Sequence, residues 1–133
     1  MYKVSKEIHF CYGHRLLDYN GKCAHPHGHN GKVVIDLGSE KLDKRGMVFD
    51  FGDVKDIVKK WVDQELDHKM ILKKGDALVK ILKEMKEPYF LMDENPTAEN
   101  LAKLIYQFAR SKKLPIQSVT FWETTSSSAT YSE

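Results

Sequence analysis

The densest group of metal-binding side chains in the sequence lies in residues 23–30, which contain three of the six histidines and one of the two cysteines. If this segment is extended, side chains two positions apart point to the same face, so His27 and His29 present two imidazoles with Gly28 between them. Two histidines form part of a metal site, because catalytic zinc usually takes three protein ligands and keeps a fourth position open. The third ligand would come from the remaining histidines, which are His9, His14, His25 and His68. The alternative is a histidine-rich surface loop that binds nothing specific.

Two predicted strands would position these side chains. Residues 4–14 alternate between apolar and polar side chains, which predicts a half-buried strand with His14 on its apolar face and His9 on its polar face. A second strand that begins near His29 continues the same alternation through residues 31–37. His14 is therefore the best candidate for the third ligand. The metal site is expected on the apolar inner face of a sheet.

The rest of the chain predicts three helices and further strands. Apolar residues at helical spacing predict helices that begin near residues 50, 76 and 97. β-Branched and aromatic runs predict strands at residues 47–49, 116–125 and 129–131. This order favours an α+β fold in which an antiparallel β-sheet has helices packed on one face. At 133 residues the chain has the length of a single domain, over residues 1–133.

The composition excludes several classes of protein. Hydrophobic residues make up 41% and charged residues 30%, and the formal net charge is +2, so the strong positive field of nucleic-acid-binding proteins is missing. No apolar run is long enough to span a bilayer, so no membrane partner is expected. Because no apolar leader segment is present, we expect a cytoplasmic protein whose two cysteines, Cys11 and Cys23, stay as thiols.

Four other residues carry chemistry, and each also has an ordinary structural explanation. Glu123 lies at the end of a predicted strand, on the face that carries the apolar side chains. It therefore needs a partner such as a ligand, unless it is a solvated carboxylate. Asp67 beside His68 is an arrangement in which an acid orients an imidazole for proton transfer, although a polar helix end has the same composition. Cys23, close to the histidines, is a candidate base, a fourth zinc ligand or a small buried side chain.

Several segments match the motifs of one known family, in order, along nearly the whole chain. They are F-C-Y-G-H at residues 10–14, C-A-H-P-H-G-H at 23–29, V-F-D-F at 48–51, L-D-H-K at 66–69, E-N-P-T-A-E-N at 94–100 and E-T at 123–124. On these motifs the chain resembles the family of 6-pyruvoyltetrahydropterin and 6-carboxytetrahydropterin synthases. It departs from the family at Tyr12 and Gly13, where a small pair is usual, and after His68, where the common asparagine-leucine is missing.

The resemblance implies a tunnelling fold (T-fold), in which subunits join their antiparallel sheets into a barrel. The implied assembly is a homo-oligomer, a hexamer built as a dimer of trimers. The resemblance also implies a Zn²⁺ ion with three protein ligands, which are His14, His27 and His29. Asp67 and His68 would then reach a pocket of a neighbouring subunit.

The resemblance further implies a set of catalytic and binding residues. Cys23 would abstract a proton from the substrate, and Asp67 with His68 would assist proton transfer. Glu123 would anchor the pterin ring, with Thr97 near it. The implied substrate is the small molecule 7,8-dihydroneopterin triphosphate.

The reaction expected from the resemblance is that of a zinc-dependent lyase. The compact chain favours a 6-carboxytetrahydropterin synthase, which forms 6-carboxytetrahydropterin, acetaldehyde and triphosphate in queuosine biosynthesis. The alternatives are the 6-pyruvoyl branch of tetrahydrobiopterin biosynthesis, a related enzyme with a neighbouring pterin or purine substrate, and a non-enzymatic zinc-binding module. The joint presence of Cys23, Asp67 and Glu123 argues against the last of these.

Overall fold

The computed structural model describes all 133 residues of the chain. Its strands are β1 Tyr2–His14, β2 His27–Ser39, β3 Lys69–Lys73, β4 Tyr89–Met92, β5 Ile116–Trp122 and β6 Ser128–Tyr131. They form one six-stranded sheet in the order β4-β3-β1-β2-β5-β6. Its helices are α1 Phe51–Val54, α2 Lys60–Glu65, α3 Leu78–Met85 and α4 Ala98–Ser111, and a π-helical segment, Lys55–Lys59, joins α1 to α2. This sheet with helices packed on one face confirms the predicted fold class.

The long antiparallel hairpin of β1 and β2 carries the histidines. Its register pairs Tyr12 with His29 and His14 with His27, so all four side chains point to the same face of the sheet. This face is buried from residue 8 to residue 14 of β1 and from residue 31 to residue 37 of β2, and His14 itself is only 1% exposed. His9 lies on the opposite, exposed face. The predicted apolar inner face of the hairpin is confirmed.

The helices cover this inner face. The helix over residues 51–65 begins where the sequence predicts, because the Asp50 carboxylate accepts a hydrogen bond from the Gly52 backbone N–H at 2.7 Å. Its apolar side chains recur at helical spacing and are fully buried at Val54, Val58 and Val62. They join one core with the inner face of the sheet and with α4. No helix is long and apolar enough to cross a membrane.

Two features of the sheet differ from the prediction. The strand predicted at residues 47–49 is wrong: this segment forms turns and bends after β2 and has no strand partner, although Val48 and Phe49 pack against the core. In addition, β3 was not predicted, and it pairs in parallel with both β1 and β4. The antiparallel sheet is therefore extended at one edge by two parallel strands, and Asp67 and His68 lie in the turn that precedes β3.

Candidate active site

Four side chains from three strands converge at one end of the sheet. They are His14, the last residue of β1, His27 and His29 at the start of β2, and Glu123 directly after β5. Their ligand atoms all lie within 4.8 Å of one another, an arrangement that could hold a metal ion. His14 Nε2 lies 3.0 Å from His27 Nε2. Glu123 Oε1 lies 3.3 Å from His14 Nε2 and 2.8 Å from His29 Nε2.

Backbone carbonyls orient two of the imidazole rings. His14 Nδ1 lies 2.7 Å from the carbonyl oxygen of Pro96, and His27 Nδ1 lies 2.7 Å from that of His25. Because a carbonyl only accepts hydrogen bonds, each Nδ1 carries a proton, and in the neutral form of each ring Nε2 keeps a lone pair. Burial lowers the pKa of His14, although the Pro96 carbonyl and the Glu123 charge partly oppose this. The ring is therefore held in the neutral form that binds metals.

The donor atoms fit a zinc ion. Two unprotonated Nε2 atoms at 3.0 Å repel each other unless a cation lies between them. His29 Nε2 is buried without a hydrogen-bond partner, because its 2.8 Å approach to Glu123 Oε1 lacks hydrogen-bond geometry. Ligand atoms around a tetrahedral zinc, with Zn–N bonds of about 2.0–2.1 Å, lie roughly 3.3 Å apart. The 3.0 Å between the Nε2 atoms of His14 and His27 is close to that value, and the ligand atoms of all four residues lie within 4.8 Å of one another.

Tyr12 packs against two of these side chains, His14 and His29. Its ring centroid lies 5.1 Å from that of His14 and 5.7 Å from that of His29. The side chain is buried, and its hydroxyl has no hydrogen-bond partner in the protein. Burial raises the pKa of Tyr12 far above its usual range, and the charge of Glu123 raises it further. The hydroxyl therefore stays protonated and can donate a hydrogen bond. The spacing of residues in the sequence did not indicate this role of Tyr12.

Cys23 and Thr97 lie on the segments that support the cluster. Cys23 is a half-buried free thiol in a 3-10 turn, and its carbonyl accepts a hydrogen bond from the Leu16 backbone N–H at 2.8 Å. Its sulfur is not part of the four-residue cluster, so the structure does not place it as a fourth ligand. The Thr97 hydroxyl caps α4 by accepting from the Asn100 backbone N–H at 3.2 Å. Thr97 directly follows Pro96, whose carbonyl orients the His14 ring.

Asp67 and His68 form a positioned pair that is separate from this cluster. The Cys11 backbone N–H donates to Asp67 Oδ1 at 3.0 Å, and the His68 backbone N–H donates to the Cys11 carbonyl at 2.7 Å. His68 Nδ1 lies 2.8 Å from Asp67 Oδ2, and these bonds hold His68 at a φ of 57°, which is uncommon for a residue other than glycine. The His68 ring is 78% exposed and faces a cavity of about 340 Å³.

The protonation of this pair follows from its contacts. Burial would raise the pKa of Asp67, but the hydrogen bonds from His68 and from the Cys11 backbone outweigh it and hold that pKa below its usual range. Asp67 is therefore an ionised carboxylate that orients the imidazole. Within one chain, the structure does not bring this pair to the histidine cluster.

Two interactions that support the site were not predicted. Asn95 exchanges two hydrogen bonds with the Leu17 backbone, at 2.9 and 2.8 Å, and so docks the segment before α4 beside His14. Asn95 belongs to the motif at residues 94–100, which is the one feature of the sequence that could have indicated this contact. Arg15, the next residue after His14, makes a two-pronged ion pair with the buried carboxylate of Asp76 at the start of α3. This pair anchors the end of β1, and no local pattern indicated it.

Residues 3–133 match the family model described as 6-pyruvoyl tetrahydropterin synthase. The chain belongs to this family. A Rickettsia bellii protein named 6-carboxy-5,6,7,8-tetrahydropterin synthase is 34% identical over 131 residues, which cover 93% of this chain and 95% of that protein. A Haemophilus influenzae protein of the same name is 32% identical over an aligned length of 141 residues, which covers 100% of both chains. The family resemblance expected from the motifs is confirmed.

Two solved structures have a fold similar to that of this chain. An uncharacterized protein from Wolinella succinogenes has a TM-score of 0.83 at 28% identity, covering 99% of this chain and 98% of that one. The 6-pyruvoyl tetrahydropterin synthase of Caenorhabditis elegans has a TM-score of 0.75 at 23% identity, covering 99% of this chain and 95% of that one. The second similarity concerns the fold alone. Together they confirm the tunnelling type of fold for the single chain, a curled sheet with helices packed on one face.

Proposed function

We propose that this protein is a zinc-dependent 6-carboxy-5,6,7,8-tetrahydropterin synthase of queuosine biosynthesis. The observation that supports this most is the convergence of three imidazoles and a carboxylate in a chain 34% identical to the Rickettsia bellii protein of that name. The reaction would convert 7,8-dihydroneopterin triphosphate and water to 6-carboxytetrahydropterin, acetaldehyde and triphosphate. A single-domain chain and a cytoplasmic location stay predictions.

The proposed metal ligands are the Nε2 atoms of His14, His27 and His29. Neutral imidazoles add no charge of their own, so a zinc ion bound here would keep its full positive charge. Zinc would supply a Lewis acid that polarises a side-chain oxygen of the pterin and acidifies the adjacent C–H bond. The hydrogen bonds from two Nδ1 atoms to backbone carbonyls would hold the rings in place for this role.

Cys23 and Glu123 have separate proposed roles beside the metal. The Cys23 thiol is free and half-buried, so its thiolate can accept the proton from the activated C–H bond. Glu123 has a side chain that is 24% exposed, and its carboxylate would accept hydrogen bonds from the amino and ring N–H groups of the pterin. Thr97, close to the same end of the sheet, is proposed to lie beside the ring.

Asp67 and His68 are proposed to act in the site of a neighbouring subunit. Their hydrogen bonds fix the imidazole in one orientation, yet the ring is exposed and lies outside the cluster of its own chain. In an oligomer, this ring could reach the metal site of a second copy of the chain. This supports the proposed homo-oligomer, a dimer of trimers, in which His68 moves protons between substrate and solvent.

The second candidate function is 6-pyruvoyltetrahydropterin synthase. The description of the family model favours it, because that description names the pyruvoyl reaction. Both reactions begin with proton abstraction and loss of triphosphate, so the same residues would serve either one. They differ in whether the carbon–carbon bond of the side chain is then broken.

The products formed from 7,8-dihydroneopterin triphosphate test this proposal. The zinc-loaded protein is expected to release acetaldehyde and triphosphate in equal amounts, and Cys23→Ala is expected to release neither. Cys11→Ala is the matched control, because Cys11 is also a free thiol but lies on the opposite, exposed face of the hairpin, where its sulfur lies 2.9 Å from Asn30 Oδ1. Triphosphate release with a pyruvoyl pterin and no acetaldehyde would favour the second candidate. Equal activity of Cys23→Ala and Cys11→Ala would remove Cys23 as the base.

A further inference from the structure

Two buried side-chain polar atoms lack a hydrogen-bond partner in this protein, and both belong to the candidate site. They are His29 Nε2 and the hydroxyl of Tyr12. The nitrogen gains a partner when a metal is bound, as proposed above. The hydroxyl has no such explanation, although folding removes it from water and buried polar groups are nearly always paired. It therefore needs an acceptor within the site.

The position of the Tyr12 ring indicates where this acceptor lies. The ring extends from β1 over Gly31 of β2, where an added Cβ would lie 3.1 Å from a Tyr12 ring carbon. The last pair in the register of β2 with β5 is Lys32 with Trp122. One position further along each strand, Gly31 and Glu123 are neighbours. The missing side chain at Gly31 thus lets the phenol extend across β2 towards Glu123.

Glu123 is the acceptor with free capacity. In the proposed metal centre the Nε2 lone pairs of the three histidines are occupied, whereas a carboxylate has two oxygens and about four acceptor sites. However, Glu123 Oε1 lies 2.8 Å from His29 Nε2, close enough to become a fourth ligand. A fourth protein ligand would close the position that a catalytic zinc site keeps open.

We propose that Tyr12 is a positioning residue: in the metal-bound protein its hydroxyl donates a hydrogen bond to the Glu123 carboxylate and so keeps that carboxylate from closing the fourth metal position. This inference rests on the three-histidine metal centre proposed above. Glu123 would then be free to bind the substrate. Tyr12 would keep it free without contacting the metal or the substrate itself.

Cobalt(II) substitution tests this proposal without a turnover assay, because visible absorption of bound Co²⁺ reports its coordination. Azide is the probe, since it binds to an open metal position and shifts the spectrum. We expect Tyr12→Phe to weaken azide binding about tenfold, the size of effect typical of residues that hold a metal ligand or its neighbour. Tyr106→Phe is the matched control, because Tyr106 is equally buried, 4% exposed like Tyr12, and packs against Tyr131 instead.

A double-mutant comparison with Glu123→Gln separates this role from simple packing. If Tyr12 acts through the Glu123 carboxylate, Tyr12→Phe has no further effect on azide binding once Glu123 is glutamine. The proposal is overturned if Tyr12→Phe binds azide as wild type and Tyr106→Phe do. It is also overturned if the weakening persists in the Glu123→Gln background. Failure of the wild-type protein to bind Co²⁺ at all would overturn the metal centre itself, and the role of Tyr12 with it.

Discussion

Replacing Asp76 with asparagine is expected to destabilise the protein by about 3 kcal/mol. The Asp76 side chain is fully buried, and it accepts hydrogen bonds from the Arg15 guanidinium and from the Leu78 backbone N–H. Asparagine keeps the shape but removes the charge, so the guanidinium loses its counter-ion. Breaking a buried ion pair in this way costs roughly 3–5 kcal/mol. The Arg15 side chain is 24% exposed, which places the expected value at the lower end of that range.

The assay is thermal or urea unfolding at a fixed protein concentration. A loss of about 3 kcal/mol lowers the Tm of a chain of this length by about 10 °C. The pH dependence gives a second readout. The hydrogen bond from Arg15 holds the pKa of Asp76 below its ordinary value of 3.8. The stabilisation by the ionised carboxylate is therefore complete above about pH 5 and is lost as the pH falls through the lowered pKa. The difference between wild type and Asp76→Asn should shrink below about pH 4.

The matched control is Asp93→Asn. Asp93 also forms an ion pair, at 2.7 Å from Lys74 Nζ, but the two side chains are 85% and 62% exposed. Exposed ion pairs add little to stability because water and salt screen them, so this variant should unfold almost like the wild type. If Asp76→Asn is no less stable than Asp93→Asn at neutral pH, the Arg15 pair does not anchor the end of β1, and the reasoning is refuted.

Three further predictions concern the site and its supports. Gly31→Ala should lower the free energy of unfolding by about 1–3 kcal/mol, because the added methyl group would lie 3.0 and 3.1 Å from two aromatic rings. Unchanged urea unfolding of this variant would show that the rings leave room for the methyl group. Thr97→Ala should lower it by about 1 kcal/mol by removing the cap of α4, whereas Thr97→Ser should retain most of that stability. Cys23→Ala should keep its bound zinc and lose acetaldehyde formation; loss of zinc would instead show that Cys23 is a ligand.

The inner face of the hairpin could be predicted from sequence because its alternation is local. His14 follows the buried parity of residues 8–12, and the register of the hairpin places it opposite His27 on the same face. The start of the helix at Asp50 follows from an equally local cap. In each case the relevant residues lie close together along the chain, so their pattern is sufficient.

Interactions between distant segments could not be predicted in this way. Glu123 meets the histidines because β5 pairs with β2, a contact between residues that are far apart in sequence. β3 has only five residues, with lysine at both ends, and it pairs in parallel. The sequence therefore has no hairpin turn that would indicate this strand. Residues 47–49 have the composition of a strand, but a strand also needs a partner for its backbone groups, and these residues pair with no strand of the sheet.

The zinc content of histidine variants tests the central claim most directly. Wild type and His9→Ala should each carry about one zinc per chain, because His9 lies on the exposed outer face of the same hairpin. His27→Ala and His29→Ala should lose nearly all of their zinc, because each removes one of three nitrogen ligands. Circular dichroism establishes that the variants are folded. Full zinc occupancy in folded His27→Ala and His29→Ala would contradict the assignment of the metal centre.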